Sequence, residues 1–121
     1  PSGEIVWFEN PDYYLNDYAG VTVSSNVTIN TESQTNGKVP KGARACYLTL
    51  MGEYSATDAA LHTDLGSMAG YYQGVAISTV AANERHVATG WQACDSSGDY
   101  GLRRSQNFTD VRMTITGVEL R

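Results

Sequence analysis

The sequence predicts an all-β protein, an antiparallel β-sandwich of seven or eight strands. A jelly roll is the first topology to expect and an immunoglobulin-like or other Greek-key sandwich the second. Three observations carry this. In the closing stretch 110–121, Val111, Met113 and Ile115 alternate with Arg112, Thr114 and Thr116, the period of two of a half-buried strand. At Gly117 the phase flips, so that Val118 and Leu120 become the apolar positions, which predicts a bulge or a change of sheet there. Short alternating runs recur along the chain, separated by turn residues.

Taken in order, Glu4 to Glu9 is a short apolar strand broken by Asn10-Pro11-Asp12. Tyr13 to Ala19 is an aromatic loop or irregular edge. Val21 to Ile29 is the cleanest strand, with Val21, Val23, Val27 and Ile29 on one face. Residues 30–37 are polar and turn-rich, hence loop. Ala43 to Met51 places Cys46, Leu48 and Leu50 on one face and Tyr47, Thr49 and Met51 on the other. Both faces are partly apolar, so this strand is central. Ser55 to Met68 is ambiguous: Ser55 with Asp58, then Ala56, Ala59 and Ala60, allows a short helical turn near 56–65, but a loop is favoured. Tyr71 to Ala81 is strand, with Val75, Ile77 and Thr79 aligned. After a turn at Asn83-Glu84, Arg85 to Cys94 is strand, with Val87, Thr89, Trp91 and Ala93 aligned. Asp95 to Asp99 is a tight turn and Tyr100 to Arg103 a short strand. Trp7 and Trp91 are expected on buried strand faces, in the core or in an interface.

With 121 residues, a single domain spanning 1–121 is the expected count, excised from a longer chain or processed. Charged residues are only 17% of the chain, so Ser, Thr, Asn, Gln and Gly must cover the surface. That composition suits an extracellular or virion protein. The formal charge of −5 and the scattered basic residues argue against nucleic acid or an anionic membrane as partner. No apolar run approaches the ~18 residues a membrane-spanning helix needs.

Catalytic signatures are absent: neither G-x-S-x-G nor H-E-x-x-H occurs, and the two histidines, His62 and His86, stand alone in the sequence. A non-enzyme is expected, with a small hydrolase the weakest reading. Cys46, Cys94, His62 and His86 show no zinc spacing. Asp95 with Asp99, and Asp12 with Asp17, offer hard oxygens for calcium, but an Asx turn accounts for Asp95, so no cofactor is assigned. Cys46 and Cys94 read as buried free thiols, with a cross-strand disulfide as the alternative. Two sequons, Asn26-Val27-Thr28 and Asn107-Phe108-Thr109, carry meaning only in a eukaryotic secretory cell.

The functional candidates are tyrosines. Tyr13, Tyr14 and Tyr18, with Asn16 and Asp17 between them, have the composition of a sugar platform, with rings for apolar sugar faces and oxygens for hydroxyls. Tyr71, Tyr72, Asp99 and Tyr100 extend that set. The competing reading puts these rings over core edges or in a subunit interface.

Three segments together resemble a known family: Val39-Pro40-Lys41-Gly42-Ala43-Arg44-Ala45 leading into a long strand, the turn Gly98-Asp99-Tyr100-Gly101, and the terminal Ile115-Thr116-Gly117-Val118-Glu119-Leu120. The combination resembles the C-terminal β-sandwich domains of bacteriophage tail fibres, tailspikes and head fibres, from Val39 to Arg121. The resemblance implies a jelly roll that trimerises and a surface that recognises host glycans, with no catalytic residues to carry over. Pro1 to Lys38 has no counterpart. Strands apolar on both faces fit this, since a neighbouring subunit can supply the second cover. The expected function is therefore a non-catalytic module recognising a cell-surface glycan as a homo-oligomer, a trimer first. The alternative is a structural trimerisation or decoration domain with no ligand.

Overall fold

The computed structural model describes residues 3–8, 16–17, 27–34, 37, 42–65, 73–106 and 108–121. Nine strands and one helical turn are present among them: β1 Ile5–Trp7, β2 Asn16–Asp17, β3 Val27–Asn30, α1 Thr31–Gln34, β4 Ala45–Glu53, β5 Ala60–Asp64, β6 Gln73–Ser78, β7 Arg85–Ala93, β8 Asp99–Arg104 and β9 Asp110–Glu119. They form two antiparallel sheets. The front sheet has the order β1-β9-β4-β7, with β2 also pairing β9; the back sheet has the order β3-β8-β5-β6. Since β4 covers one edge of β9 throughout, β1 and β2 share its other edge, which makes eight strand positions. The pairing is nested: β2 with β9, β3 with β8, β4 with β7, β5 with β6, falling alternately in the front and back sheets. This is the jelly-roll order, a long hairpin wrapped into a sandwich.

The core lies between the sheets. Cys46, Leu48 and Leu50 of β4, Val111, Met113 and Ile115 of β9, Leu61 of β5 and Leu102 of β8 are fully buried. The expected central strand is confirmed, because β4 pairs on both edges. The phase flip in β9 is a bulge: Tyr47 pairs Gly117 while Leu48 pairs Ile115, leaving Thr116 as the extra residue. Beyond it Val118 points inward again.

Three expectations are corrected. The segment read as loop, or as a helical turn near 56–65, contains the strand β5. Its burial alternates in step with the core: Leu61 and Thr63 face inward, opposite Ile77 of β6 and Leu102 of β8. The helical turn lies instead at Thr31–Gln34, inside the stretch read as loop. There Asn30 Oδ1 accepts from the Ser33 amide at 3.0 Å, an N-cap on the third residue of the turn. The third correction concerns Trp7 and Trp91, which lie on the outer face of the front sheet. The early strand read as 21–29 is described only from Val27 onward.

The inner face of β7 is lined by small or polar side chains. Ala88, Gly90 and Gln92 occupy it, because the back sheet comes close. A Cβ on Gly74 of β6 would collide with Gln92 Oε1, and one on Gly90 would touch Val75 at 3.5 Å. Gln92 spans the sandwich: Thr63 Oγ1 donates to its Oε1 at 2.6 Å, and its Nε2 donates to the Ala93 carbonyl at 2.8 Å. Thr63 Oγ1 in turn accepts from the Val75 amide at 3.0 Å. These groups are fully buried, so each depends on the others for satisfaction.

Cys46 and Cys94 are buried and free. Cys46 stands opposite Gln92 and Val118, so Cys94 is its diagonal neighbour. Diagonal positions lie at about 7–8 Å, outside the span of about 4.4–6.8 Å a disulfide tolerates. The hydrogen bond that the Cys46 thiol makes to Cys94, together with burial, pushes the Cys46 thiol well above its ordinary value.

Two measurements test this core. Thr63→Val leaves Gln92 Oε1 and the Val75 amide without their partner, and urea denaturation should show a loss of about 1–3 kcal/mol. The raised Cys46 proton affinity stabilises the fold fully below the ordinary thiol pKa of about 8.5. Above that pH the unfolded chain ionises first. Stability should then fall by up to about 1.4 kcal/mol per pH unit, a slope that Cys46→Ala removes.

Candidate functional site

Among the described residues, five large hydrophobic side chains are exposed, and four of them, Ile5, Trp7, Val87 and Trp91, lie on the outer face of the front sheet. The strand register explains how they meet. Trp7 of β1 pairs Gly117 of β9, Gly117 pairs Tyr47 of β4, and Tyr47 pairs Trp91 of β7. One row across four strands thus carries ring, glycine, ring, ring on a single face. Trp7 is 57% exposed and Trp91 38%.

The glycine shapes the row. A Cβ on Gly117 would stand 2.5 Å from Trp7 Cε3 and 2.7 Å from Cζ3, so the indole lies directly over the bare backbone. From that seat it reaches Tyr47, with centroids 5.3 Å apart and planes at 82°. Tyr47 meets Trp91 at 5.2 Å and 65°, and the two indoles meet at 5.8 Å and 54°. Edge-to-face contacts of this kind stabilise by about 0.5–1.5 kcal/mol each beyond area burial.

Among the described residues, threonines border the three rings on one side. The next row is Thr114, Thr49 and Thr89, with the last two joined by a 3.1 Å hydrogen bond between hydroxyls. Charges stand at the two ends of the face as ion pairs: Arg44 with Glu119 at 3.3 Å at one end, Arg85 with Glu53 at 3.7 Å and Arg112 with Asp110 at 3.3 Å at the other.

The residues singled out from the sequence fare differently. Tyr13, Tyr14, Tyr18, Tyr71 and Tyr72 lie outside the described residues. Asn16 and Asp17 form β2, beside Met113 and Arg112 at the edge of the front sheet. Asp99 belongs to the back sheet, where its Oδ1 accepts from Asn30 Nδ2 at 2.6 Å. The described members of the expected platform therefore do not come together. Tyr100 is corrected: it is 1% exposed, and its hydroxyl donates to Met113 Sδ at 3.3 Å within the core. Strand parity pairs it with Ile29 and turns it inward, so its ring is not available to a sugar.

The two histidines lie apart, His62 in β5 and His86 in β7. His62 lies on the outer face of the back sheet, with Nε2 3.6 Å from the Asp64 carboxylate, which Arg103 Nε also engages. Among the described residues His62 Nε2 has no hydrogen-bond partner. His86 is turned to the inner side at the mouth of the sandwich, where its Nε2 accepts from the Val80 amide at 3.3 Å. The Asp95 carboxylate is occupied as an Asx turn, with Oδ1 accepting from the amides of Ser97 at 2.8 Å and Asp99 at 3.0 Å. Among the described residues, no group of three or more metal-ligating side chains forms.

The comparisons with known proteins add little beyond this. No family description matches the sequence, and no curated protein matches it. Among solved structures, the chain is similar to the "Structure of Eiger TNF from S. frugiperda", with 13% identity over 89% of this chain and 92% of that one, and a TM-score of 0.38. The jelly-roll assignment stands on the strand order itself.

The aromatic row predicts a specific response. Gly117→Ala should displace the Trp7 indole while the sheet persists, because that ring is exposed enough to swing away. The aromatic coupling signal in near-ultraviolet circular dichroism should fall, with a stability loss of about 1–2 kcal/mol.

Proposed function

We propose that the chain is a non-catalytic carbohydrate-recognition module whose contact surface is the outer face of the front sheet. The observation that carries this reading is the solvent-exposed Trp7–Tyr47–Trp91 row with threonine hydroxyls directly beside it. Aromatic faces take the apolar face of a sugar, and neighbouring hydroxyls exchange hydrogen bonds with its OH groups. The polar, low-charge composition supports placement on a cell surface or virion, and the resemblance of residues 39–121 to phage fibre domains supports a receptor-binding part. The expected partner remains a cell-surface glycan. The sheet face is proposed as a contact surface in addition to the tyrosine positions singled out from the sequence.

A second reading has its own observation. Val87, 62% exposed, and Ile5 extend the apolar face beyond the rings, which favours a homo-oligomer, a trimer first, with this face turned to a neighbouring subunit.

A glycan array followed by tryptophan fluorescence titration separates the two. Carbohydrate recognition requires saturable binding that Trp91→Ala weakens by about tenfold or more, which is about 1.4 kcal/mol. No binding by a folded protein, together with a multimer that Trp7→Ala and Val87→Asp dissociate in sedimentation, replaces it with the second reading.

A further inference from the structure

We infer that the aromatic site accepts one uncharged sugar ring, at the end or on a branch of a glycan, and not a run of sugars along a polymer. The inference rests on the carbohydrate reading above and narrows its ligand. Two observations support it.

The first is the compactness of the rings. Trp7 comes from β1 and Trp91 from β7, strands separated by three spacings of about 4.8 Å each. Their ring centroids are nevertheless only 5.8 Å apart. Both indoles lean inward from the sheet edges over Gly117 and Tyr47, gathering the aromatic surface into a central mound. A chain of sugars stacking ring by ring needs aromatic planes set out along a line and roughly parallel to the polymer face. Here every pair of planes is tilted by 54° or more, so a ligand lying flat on one indole faces away from the other. The aromatic surface of the described residues matches a single ring.

The second is the charge distribution. The rows nearest the mound carry Thr114, Thr49 and Thr89 on one side and Ile5, Ala45 and Ala93 on the other, with Glu119 the one ionic side chain among them. Glu119 is bridged to Arg44, and the charges at the far end, Arg85, Glu53, Arg112 and Asp110, are also paired. Among the described residues every cation of this face is already paired, so an acidic sugar would bring its carboxylate onto an apolar surface beside Glu119 and would lose solvation without compensation. Neutral hydroxyls and methyl groups meet no such cost.

The experiment is isothermal titration of the folded chain with the methyl glycosides of glucose, galactose, mannose, N-acetylglucosamine, fucose and rhamnose. The disaccharide, tetrasaccharide and hexasaccharide of whichever sugar binds follow, and then glucuronate and sialic acid. At least one neutral methyl glycoside should bind, and its oligomers should agree with it within about threefold. Both acidic sugars should be weaker by about tenfold or more, and so should the neutral glycoside on Trp7→Ala and Gly117→Ala, checked for an intact strand spectrum. Affinity climbing about tenfold from glycoside to hexasaccharide, or binding of the polymer alone, overturns the single-ring inference and leaves carbohydrate recognition standing. An acidic sugar as the tighter ligand overturns it equally. Wild-type affinity in a folded Gly117→Ala places the sugar elsewhere and also overturns it. No saccharide of any length binding removes the inference and the underlying reading together.

Discussion

The arrangement depends on one extra residue in β9. Thr116 and Gly117 together oppose Tyr47, and this bulge sets two things at once. It returns Val118 to the core, so the last strand closes the sandwich to its end. It also presents a bare glycine outward in the row where β1 supplies Trp7. Phe8 donates its amide to the Thr116 carbonyl at 2.9 Å, and Thr116 Oγ1 donates to the Tyr47 carbonyl at 3.3 Å, so the bulge is pinned from both neighbouring strands. Were β9 regular here, with Thr116 paired to Tyr47, Gly117 would face the core, Val118 would carry the outward parity and the seat beneath the indole would be lost.

The two faces of β7 follow from a second constraint, the closeness of the sheets. A large ring at position 90 or 92 would meet Val75, Gly74 or Thr63 of the back sheet. Small residues and one hydrogen-bonded Gln fill that side, and the bulky members of the strand are left outside. The inner polar bridge from Gln92 to Thr63 is thus the counterpart of the outer aromatic row: each occupies the face that the other cannot. Polar groups so placed are satisfied only in one register, which adds specificity to the pairing of the two sheets.

How much of this was legible in the sequence follows from the same physics. The inward sets of β4, β6 and β9 could be read directly, because apolar and polar residues alternate there, and Gly117 marked the phase change. In β7 both alternating sets, Val87-Thr89-Trp91-Ala93 and Ala88-Gly90-Gln92, could face a core by composition, and the larger set is the natural choice. Parity was decided by pairing with Tyr47, a long-range fact. In β5 the alanines before Leu61 resemble helix, and the strand is fixed by its neighbours β6 and β8. Tyr100 illustrates the opposite error: read as opening a short strand with its ring offered to a ligand, it is a core residue because its parity in β8 turns it inward beside Ile29. The candidate site was missed since its three rings come from positions 7, 47 and 91, with no local signature. The one available clue was that an indole and a glycine share parity near the two ends of the chain.

The composition of the aromatic row argues that it is more than a by-product of the fold. Glycine in a strand interior weakens the strand, and a tryptophan left more than half exposed buries little of its surface. A β-branched residue at 117 with a smaller one at 7 would suit a pleated sheet better on both counts. The face instead holds a large ring over the weakest strand residue and leaves it in water, next to hydroxyls and away from charge. Local choices that lower stability in this way gather where a surface is shaped for contact rather than for folding, and here they converge on one row of the front sheet.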